Sequence, residues 1–188
     1  SIVGDPSAWS EKLNGELLPS GTVRLATKGP ITDLPGFHQG SWWVQDLAAR
    51  LVASLAGDVV GKSIVDLCAA PGGKTAFFAS RGGRVIAVDR SESRLLRLHD
   101  NLERLRLAAE IIEGDVLIWR PQKRAEIVML DAPCSATGTA RRHPDILWTK
   151  TKIDVQKLAR LQREMLRAAA EMVAKGGFLI FATCSLQP

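Results

Sequence analysis

Ser63-Ile-Val-Asp-Leu-Cys-Ala-Ala-Pro-Gly-Gly-Lys-Thr-Ala-Phe-Phe-Ala-Ser-Arg81 opens on a short apolar run, breaks at Pro71-Gly72-Gly73 and resumes with helical spacing from Lys74 to Arg81. Six residues from Ser63 to Cys68 suit a buried strand, and the paired glycines punctuate the two patterns. The stretch therefore reads as strand, tight loop, helix. Downstream the alternation repeats: Arg84 to Val88 predicts a strand, and Ser91 to about Arg106 a helix with Leu95, Leu98, Leu102 and Leu105 on one face. Glu110 to Glu113 and Glu126 to Leu130 predict two more strands, the second ending at Asp131-Ala-Pro-Cys134. A loop then runs to about Lys150. Asp154 to Ala174 predicts a helix with Leu158, Leu161, Met165, Ala169 and Met172 on one stripe, and Gly176-Gly177 ends it before a strand from Phe178 to Thr183. Alternating strands and helices define the α/β class: a doubly wound, Rossmann-like, mostly parallel sheet with helices on both faces.

Upstream the pattern loosens. Thr22 to Thr27 alternates like a strand, Gly29-Pro30 and Pro35-Gly36 mark turns, and Gln45 to Ala56 has helical spacing. The expected organisation is a lead-in segment, residues 1–40, followed by one doubly wound domain, residues 41–188. The last strand falls at the end of the chain, so the closing strands of such a sheet are expected to be missing from it.

At 188 residues and 46% hydrophobic content, the chain suits one domain with a sizeable core. There are 25 Lys and Arg against 20 Asp and Glu, a formal charge of +5, with a pI near 9.4. That balance suits an anionic partner without requiring one. Cys68, Cys134 and Cys184 lack paired CxxC spacing, which argues against a disulfide scaffold or a zinc site and fits a reducing cytoplasm. No run of about 18 apolar residues occurs, and the first ten residues carry Asp5 and Pro6, so neither a membrane nor a secretory signal is expected.

Ligands of doubly wound sheets bind beyond the carboxyl ends of the strands, near the switch in strand order. Four such loops are candidates: Cys68 to Thr75, Asp89 to Ser91, Asp131 to Trp148, and Cys184 onward. Gly73-Lys74-Thr75 invites a phosphate-loop reading, but that loop needs glycine five positions before Gly73, where this chain has Cys68. The dinucleotide pattern Gly-x-Gly-x-x-Gly is absent too. What remains is a nucleotide site whose second strand ends at Asp89, 17 residues past Gly72 and suited to ribose hydroxyls, with Asp115 a candidate for an adenine edge. Asp131 and Cys134 bring a carboxylate and a thiol to one strand end, and Cys184 a second thiol to another. A thiolate can add to an electron-poor ring if a neighbour holds a proton on the ring nitrogen, and a carboxyl such as Asp131 suits that task. Cys68 reads as a buried small hydrophobe.

From about Gly40 to Pro188 the chain resembles the RNA (cytosine-5) methyltransferases of the Sun or Fmu type. The resemblance runs through Asp66-Leu-Cys-Ala-Ala-Pro-Gly-Gly-Lys-Thr75, Val88-Asp-Arg90, Asp131-Ala-Pro-Cys-Ser-Ala-Thr-Gly138, Arg141-Arg-His-Pro-Asp-Ile-Leu-Trp148 and Thr183-Cys-Ser185. It implies a class I methyltransferase fold and S-adenosylmethionine as methyl donor. The implied cofactor site comprises Cys68, Ala69, Ala70, Pro71, Gly72, Gly73 and Lys74, with Asp89, Arg90, Arg94, Asp115 and Asp131. It further implies that Cys184 attacks carbon 6 of cytosine, that Cys134 assists breakdown of the covalent adduct, and that Lys74 and Asp131 line the base site. The implied substrate is RNA, ribosomal RNA first. Ala136 stands where the family commonly has glycine.

The basic helices carrying Arg90, Arg94, Arg97, Arg104 and Arg106, and Lys157, Arg160, Arg163 and Arg167, read mostly as solvated faces balanced by Glu92, Asp100, Glu103 and Glu164. Arg141 and Arg142, in the loop after Cys134, are the expected RNA contacts. Trp42 and Trp43 are expected to form an apolar plug, and Trp148 to pack or to stack on a base. His38, His99 and His143 lack metal spacing, so no metal is expected. A monomer is expected. The alternatives are an RNA-binding or ribosome-assembly factor that keeps the cofactor fold without activity, and a DNA cytosine enzyme in which Cys134 is the attacker.

Overall fold

A computed structural model of the chain describes every residue except 27–28, 150 and 187–188, and the side chain of 147 is likewise not described. Thr27, Lys150 and Pro188, which bound expected segments, lie outside the described residues. The chain opens with α1 (Pro6–Lys12), capped by the Asp5 carboxylate, which accepts from the Ser7 amide at 2.9 Å. An antiparallel hairpin follows, β1 (Glu16–Leu17) paired with β2 (Val23–Arg24). The expected strand from Thr22 is thus confined to the two residues that its partner can pair, since Leu18 already turns back to accept from Gly21. α2 (Leu47–Ser54) begins two residues later than its periodicity predicts because Asp46 serves as N-cap, accepting from the Ala48 amide.

From β3 (Ser63–Leu67) onward the order is α3 (Gly73–Ala79), β4 (Arg84–Asp89), α4 (Glu92–Leu105), β5 (Glu110–Glu113), β6 (Ala125–Asp131), α5 (Ile146–Thr149), α6 (Lys152–Glu171) and β7 (Val173–Ala182). The five strands from β3 to β7 are parallel, in the order β5-β4-β3-β6-β7. The winding direction reverses between the adjacent strands β3 and β6. The loops leaving those two strands, which begin at Cys68 and Ala132, therefore flank the switch point.

Both faces of the central strands β3 and β6 are buried, so successive residues on one strand enter different cores. Ile64, Ile127 and Met129 pack with Phe77, Phe78, Leu98 and Leu102 of α3 and α4. Val65, Leu67, Val128 and Leu130 pack instead with Met165, Ala169 and Met172 on the side of α6. All four leucines expected on the face of α4 are buried. Trp42 and Trp43 are buried too, as an apolar plug.

α6 starts earlier than its stripe predicts because Thr151 and Asp154 form a reciprocal capping box, and it ends earlier because Val173 pairs with Ala125. The register then jumps to Ile127 opposite Phe178. Gly176 accommodates the irregularity at φ +79°, so the glycines lie inside β7 rather than between helix and strand. Trp148 departs from the packing expectation: it lies on the four-residue α5 and is 89% exposed. Among the described residues no helix is long and apolar enough to cross a membrane.

Candidate active site

The strand ends deliver the expected residues to two adjoining cavities. The larger, about 360 Å³, is lined by Cys68, Ala70, Asp89, Arg90, Arg94, Asp115, Asp131, Cys134 and Cys184, with Val116, Leu117, Leu161 and Met165 as apolar wall. The smaller, about 240 Å³, is lined by Cys68, Ala69, Ala70, Pro71, Gly73, Lys74, Asp131 and Arg142, and also by Gln45, Asp46 and Asp66. Gly72 lines neither. It caps α3 at φ +98°, and a Cβ there would lie 2.9 Å from Leu98 Cγ, so this glycine permits the turn and its close approach to α4. A larger cavity, about 670 Å³, opens at the amino ends of the strands among Ser63, Arg84, His99 and Lys123, and holds none of the expected site residues.

Backbone geometry explains the convergence at the first loop. Cys68 leaves β3 at φ +58°, and the Ala70 amide donates to Asp89 Oδ2 at 3.2 Å. Asp89 Oδ1 accepts from the Ser91 amide at 3.1 Å, so the nearly buried carboxylate ties the β3 loop to the end of β4. Arg94 lies 3.6 Å from that carboxylate and donates to the Ala70 carbonyl, bracing the loop as well as lining the cavity. Asp115 accepts from the Leu117 amide at 2.9 Å and closes the far wall. Burial, reinforced by the carboxylates of Asp89, Asp131 and Asp66, pushes the Cys68 thiol up to about 12, which fits an inert small side chain.

The two remaining thiols meet. Cys134 Sγ and Cys184 Sγ lie 3.2 Å apart, and the Cys184 amide donates to Cys134 Sγ at 3.3 Å. Their loops are pinned together: Gly138 donates to the Cys184 carbonyl at 2.8 Å, Leu186 donates to Thr137 Oγ1 at 2.9 Å, and the hydroxyls of Ser135 and Ser185 lie 2.6 Å apart. A Cβ on Gly138 would sit 2.8 Å from the Cys184 carbonyl oxygen, so this approach requires glycine. Ala136 holds a left-handed φ of +57° beside it, a conformation that costs a non-glycine residue about 1 kcal/mol. Burial, then the hydrogen bond with Cys134, pushes the Cys184 thiol up to about 11. Lys74, nearly buried, forms an ion pair with the half-exposed Asp131 carboxylate.

Three participants carried no clear signal in the sequence. Asp46 pairs with Arg142 at 3.3 Å, and Gln45 donates to the Gly73 carbonyl at 3.1 Å; both sit where only a helix start was legible. Asp66 is fully buried, accepts from Thr75 Oγ1 at 2.7 Å, and leaves Oδ1 without a partner among the described residues. A polar residue inside an apolar strand was the available signal for it. Burial pushes the Asp66 carboxyl up to about 7 against the opposing pull of Thr75 and Lys74. The unfolded chain loses that proton near 3.8, so stability falls as pH rises through the window up to about 7 and is level above it. Between pH 5 and pH 8 we expect the wild type to lose about 3 kcal/mol that Asp66→Asn retains. Urea denaturation at the two pH values measures the difference, and equal losses would mean that Asp66 is ionised in the fold.

A parallel sheet in this order, with its polar cavities at the strand carboxyl ends, defines a Rossmann-like methyltransferase fold. The methyltransferase homolog protein from Pyrococcus horikoshii shares it, at a TM-score of 0.83 and 26% identity over 98% of this chain and 62% of that one. NSun6 from Pyrococcus horikoshii, solved with SFG, gives a TM-score of 0.76 and 30% identity over 88% of this chain and 43% of that one. Residues 56–188 match the model of the 16S rRNA methyltransferase RsmB/F family, and the chain belongs to that family. Ribosomal RNA small subunit methyltransferase B of Serratia proteamaculans (strain 568) is 46% identical over 171 residues, 88% of this chain and 40% of its own length. Its namesake in Vibrio cholerae is 45% identical over 169 residues, 87% of this chain and 39% of its own length. The chain thus spans about two fifths of the curated relatives it matches.

Proposed function

We propose that this chain carries the catalytic fold of an enzyme that transfers a methyl group from S-adenosylmethionine to carbon 5 of a cytosine in 16S ribosomal RNA, through a covalent cysteine adduct. The observation that carries the reading is the pair of thiols 3.2 Å apart beside the Lys74–Asp131 ion pair, at the edge of the larger cavity. A thiol nucleophile and a carboxyl suit covalent activation of a pyrimidine, the second thiol suits release of the adduct, and a bare RNA-binding fold has no use for them.

The larger cavity fits the cofactor's chemistry. Asp89 and Asp115 offer carboxylate acceptors to ribose hydroxyls and an adenine edge, and Val116, Leu117, Leu161 and Met165 offer apolar wall to a flat ring. SFG, found with NSun6, is an S-adenosylmethionine analogue, which supports the same assignment. The loop from Cys68 to Lys74 and the side chains of Arg90, Arg94 and Asp131 complete the proposed site, with Gly72 acting through the turn it allows. Bound S-adenosylmethionine supplies an electrophilic methyl group.

The chain's own residues do the rest. Cys184 sulfur, its proton released to solvent, forms a bond to carbon 6, and the electron pair of the 5,6 double bond moves towards carbon 5 and the ring. The Asp131 carboxyl holds a proton at ring nitrogen N3 and so absorbs the developing charge, while Lys74 orients Asp131. Carbon 5 takes the methyl group, the pair of the broken bond staying on the donor sulfur; the carbon 5 proton passes to Cys134 as the double bond is restored and the carbon–sulfur bond breaks. Cys134 exchanges a proton with the neighbouring sulfur in that last step. Arg141 and Arg142 hold the RNA backbone, and the site of action is the cytoplasm.

Calorimetric titration with S-adenosylmethionine and with ATP tests the cofactor. Micromolar binding of the first alone is expected; uptake of ATP alone, or of neither, overturns the assignment. With a 16S ribosomal RNA transcript as substrate, label from the methyl group is expected in 5-methylcytidine, and label in any other nucleoside removes the cytosine reading.

A further inference from the structure

We infer that the cavity between the lead-in segment and the Arg141–Arg142 loop binds the nucleotide adjoining the target base in the RNA strand, an inference that rests on the RNA reading above. The cavity measures about 430 Å³. Leu18, Leu25 and Leu34 of the lead-in line it together with Val44 and Leu47, as do Arg141, Arg142 and Arg24, the last already paired with Glu16. Apolar walls with cationic groups match a nucleotide, which presents a flat ring and a phosphate anion together. Among the described residues no carboxylate pairs with Arg141, so its charge is free for phosphate.

The cavity is continuous with the proposed chemistry. Val44, Gln45, Asp46 and Arg142 line both it and the smaller cavity of Lys74 and Asp131, and Asp131 in turn lines the cavity of the two thiols. A strand that lays one base against Cys184 and Asp131 brings its neighbour past Arg142 into this space. Enzymes that extrude a base commonly set their sequence context through the nucleotides on either side of it.

The cavity is also preformed. Buried Arg50 spends its guanidinium on the Ser20 carbonyl, at 2.6 and 3.1 Å, which fixes the turn between β1 and β2. Arg104 donates to the carbonyls of Phe37 and Trp42 at 2.8 and 3.1 Å, and the Val3 amide donates to Ser41 at 2.9 Å. These bonds hold the described part of the lead-in against the sheet domain as one wall of a site. Arg142 enters it paired with Asp46, both partly exposed, so a phosphate can compete for the guanidinium at modest cost.

Two variants and a 16S ribosomal RNA transcript test the inference. Arg141→Ala removes one phosphate contact, and its log K against log salt is expected to be shallower than wild type by about one contact's share. Leu47→Trp fills the cavity from a partly exposed position, and is expected to weaken RNA binding about tenfold with the salt slope unchanged. Both are expected to bind S-adenosylmethionine as the wild type does, which checks their folding. If the cofactor-competent Leu47→Trp variant binds the transcript like the wild type, the nucleotide does not sit here, whatever Arg141→Ala does, and the RNA reading stands on the wild type's own binding. A wild type that binds the cofactor but no RNA at low salt overturns the RNA reading, and this inference with it.

Discussion

Cys184→Ala is expected to lower methyl transfer by about 10⁴-fold or more and to form no covalent RNA complex, whereas Cys134→Ala accumulates one. The two outcomes follow from one geometry. The sulfurs are 3.2 Å apart, so either is within reach of a base at Asp131, and distance alone does not choose the nucleophile. Their surroundings differ. Cys134 follows Pro133 in a loop whose carbonyl is held by Gln162 at 2.8 Å, and its sulfur already accepts from the Cys184 amide. Cys184 has a more exposed setting after the end of β7. Loss of Cys134 then leaves attack intact and removes the group that assists carbon–sulfur cleavage, so protein–RNA adduct persists on a denaturing gel. A DNA-type division of labour predicts the reverse, with Cys134→Ala free of adduct and Cys184→Ala retaining it. Because the Cys184 thiol is pushed up to about 11, the rate is also expected to climb with pH between about 7 and 9, as the thiolate fraction rises.

The sheet was legible because both faces of its central strands β3 and β6 are buried, so Ser63 to Cys68 and Glu126 to Leu130 read as apolar runs bounded by turns. The ends of elements were less so. Asp46 and Thr151 move helix starts through side-chain hydrogen bonds that periodicity does not register, and a bulge at Gly176 extends a strand through residues that look like a helix stop. At the site, the thiols and Asp131 stood out because reactive side chains at strand ends are chemically conspicuous. Asp46 and Gln45 did not, since their roles depend on Arg142 and Gly73, which lie 96 and 28 residues away in the chain. The order within the lead-in was likewise invisible: Arg50 reaches a carbonyl 30 residues before it, a pairing that no local pattern encodes.

Asp131→Asn is expected to reduce the rate about 10³-fold at saturating S-adenosylmethionine. The substitution keeps the shape at the end of β6, where Asp131 pairs in register with Ala182, so the loops bearing the thiols stay in place. What it removes is a group able to hold a proton at the ring nitrogen and to take up charge as sulfur adds. An amide also leaves the Lys74 ammonium, itself nearly buried, without its anion, which costs about 1–3 kcal/mol and shows as a lower unfolding midpoint. The two effects separate in the Cys134→Ala background, where adduct formation reports attack alone. If Asp131 acts at attack, the Asp131→Asn and Cys134→Ala double variant forms adduct about as slowly as Asp131→Asn turns over. Adduct appearing at the rate of Cys134→Ala alone would instead place Asp131 after attack, in methyl transfer or release, and would leave the ring to be polarised by another group.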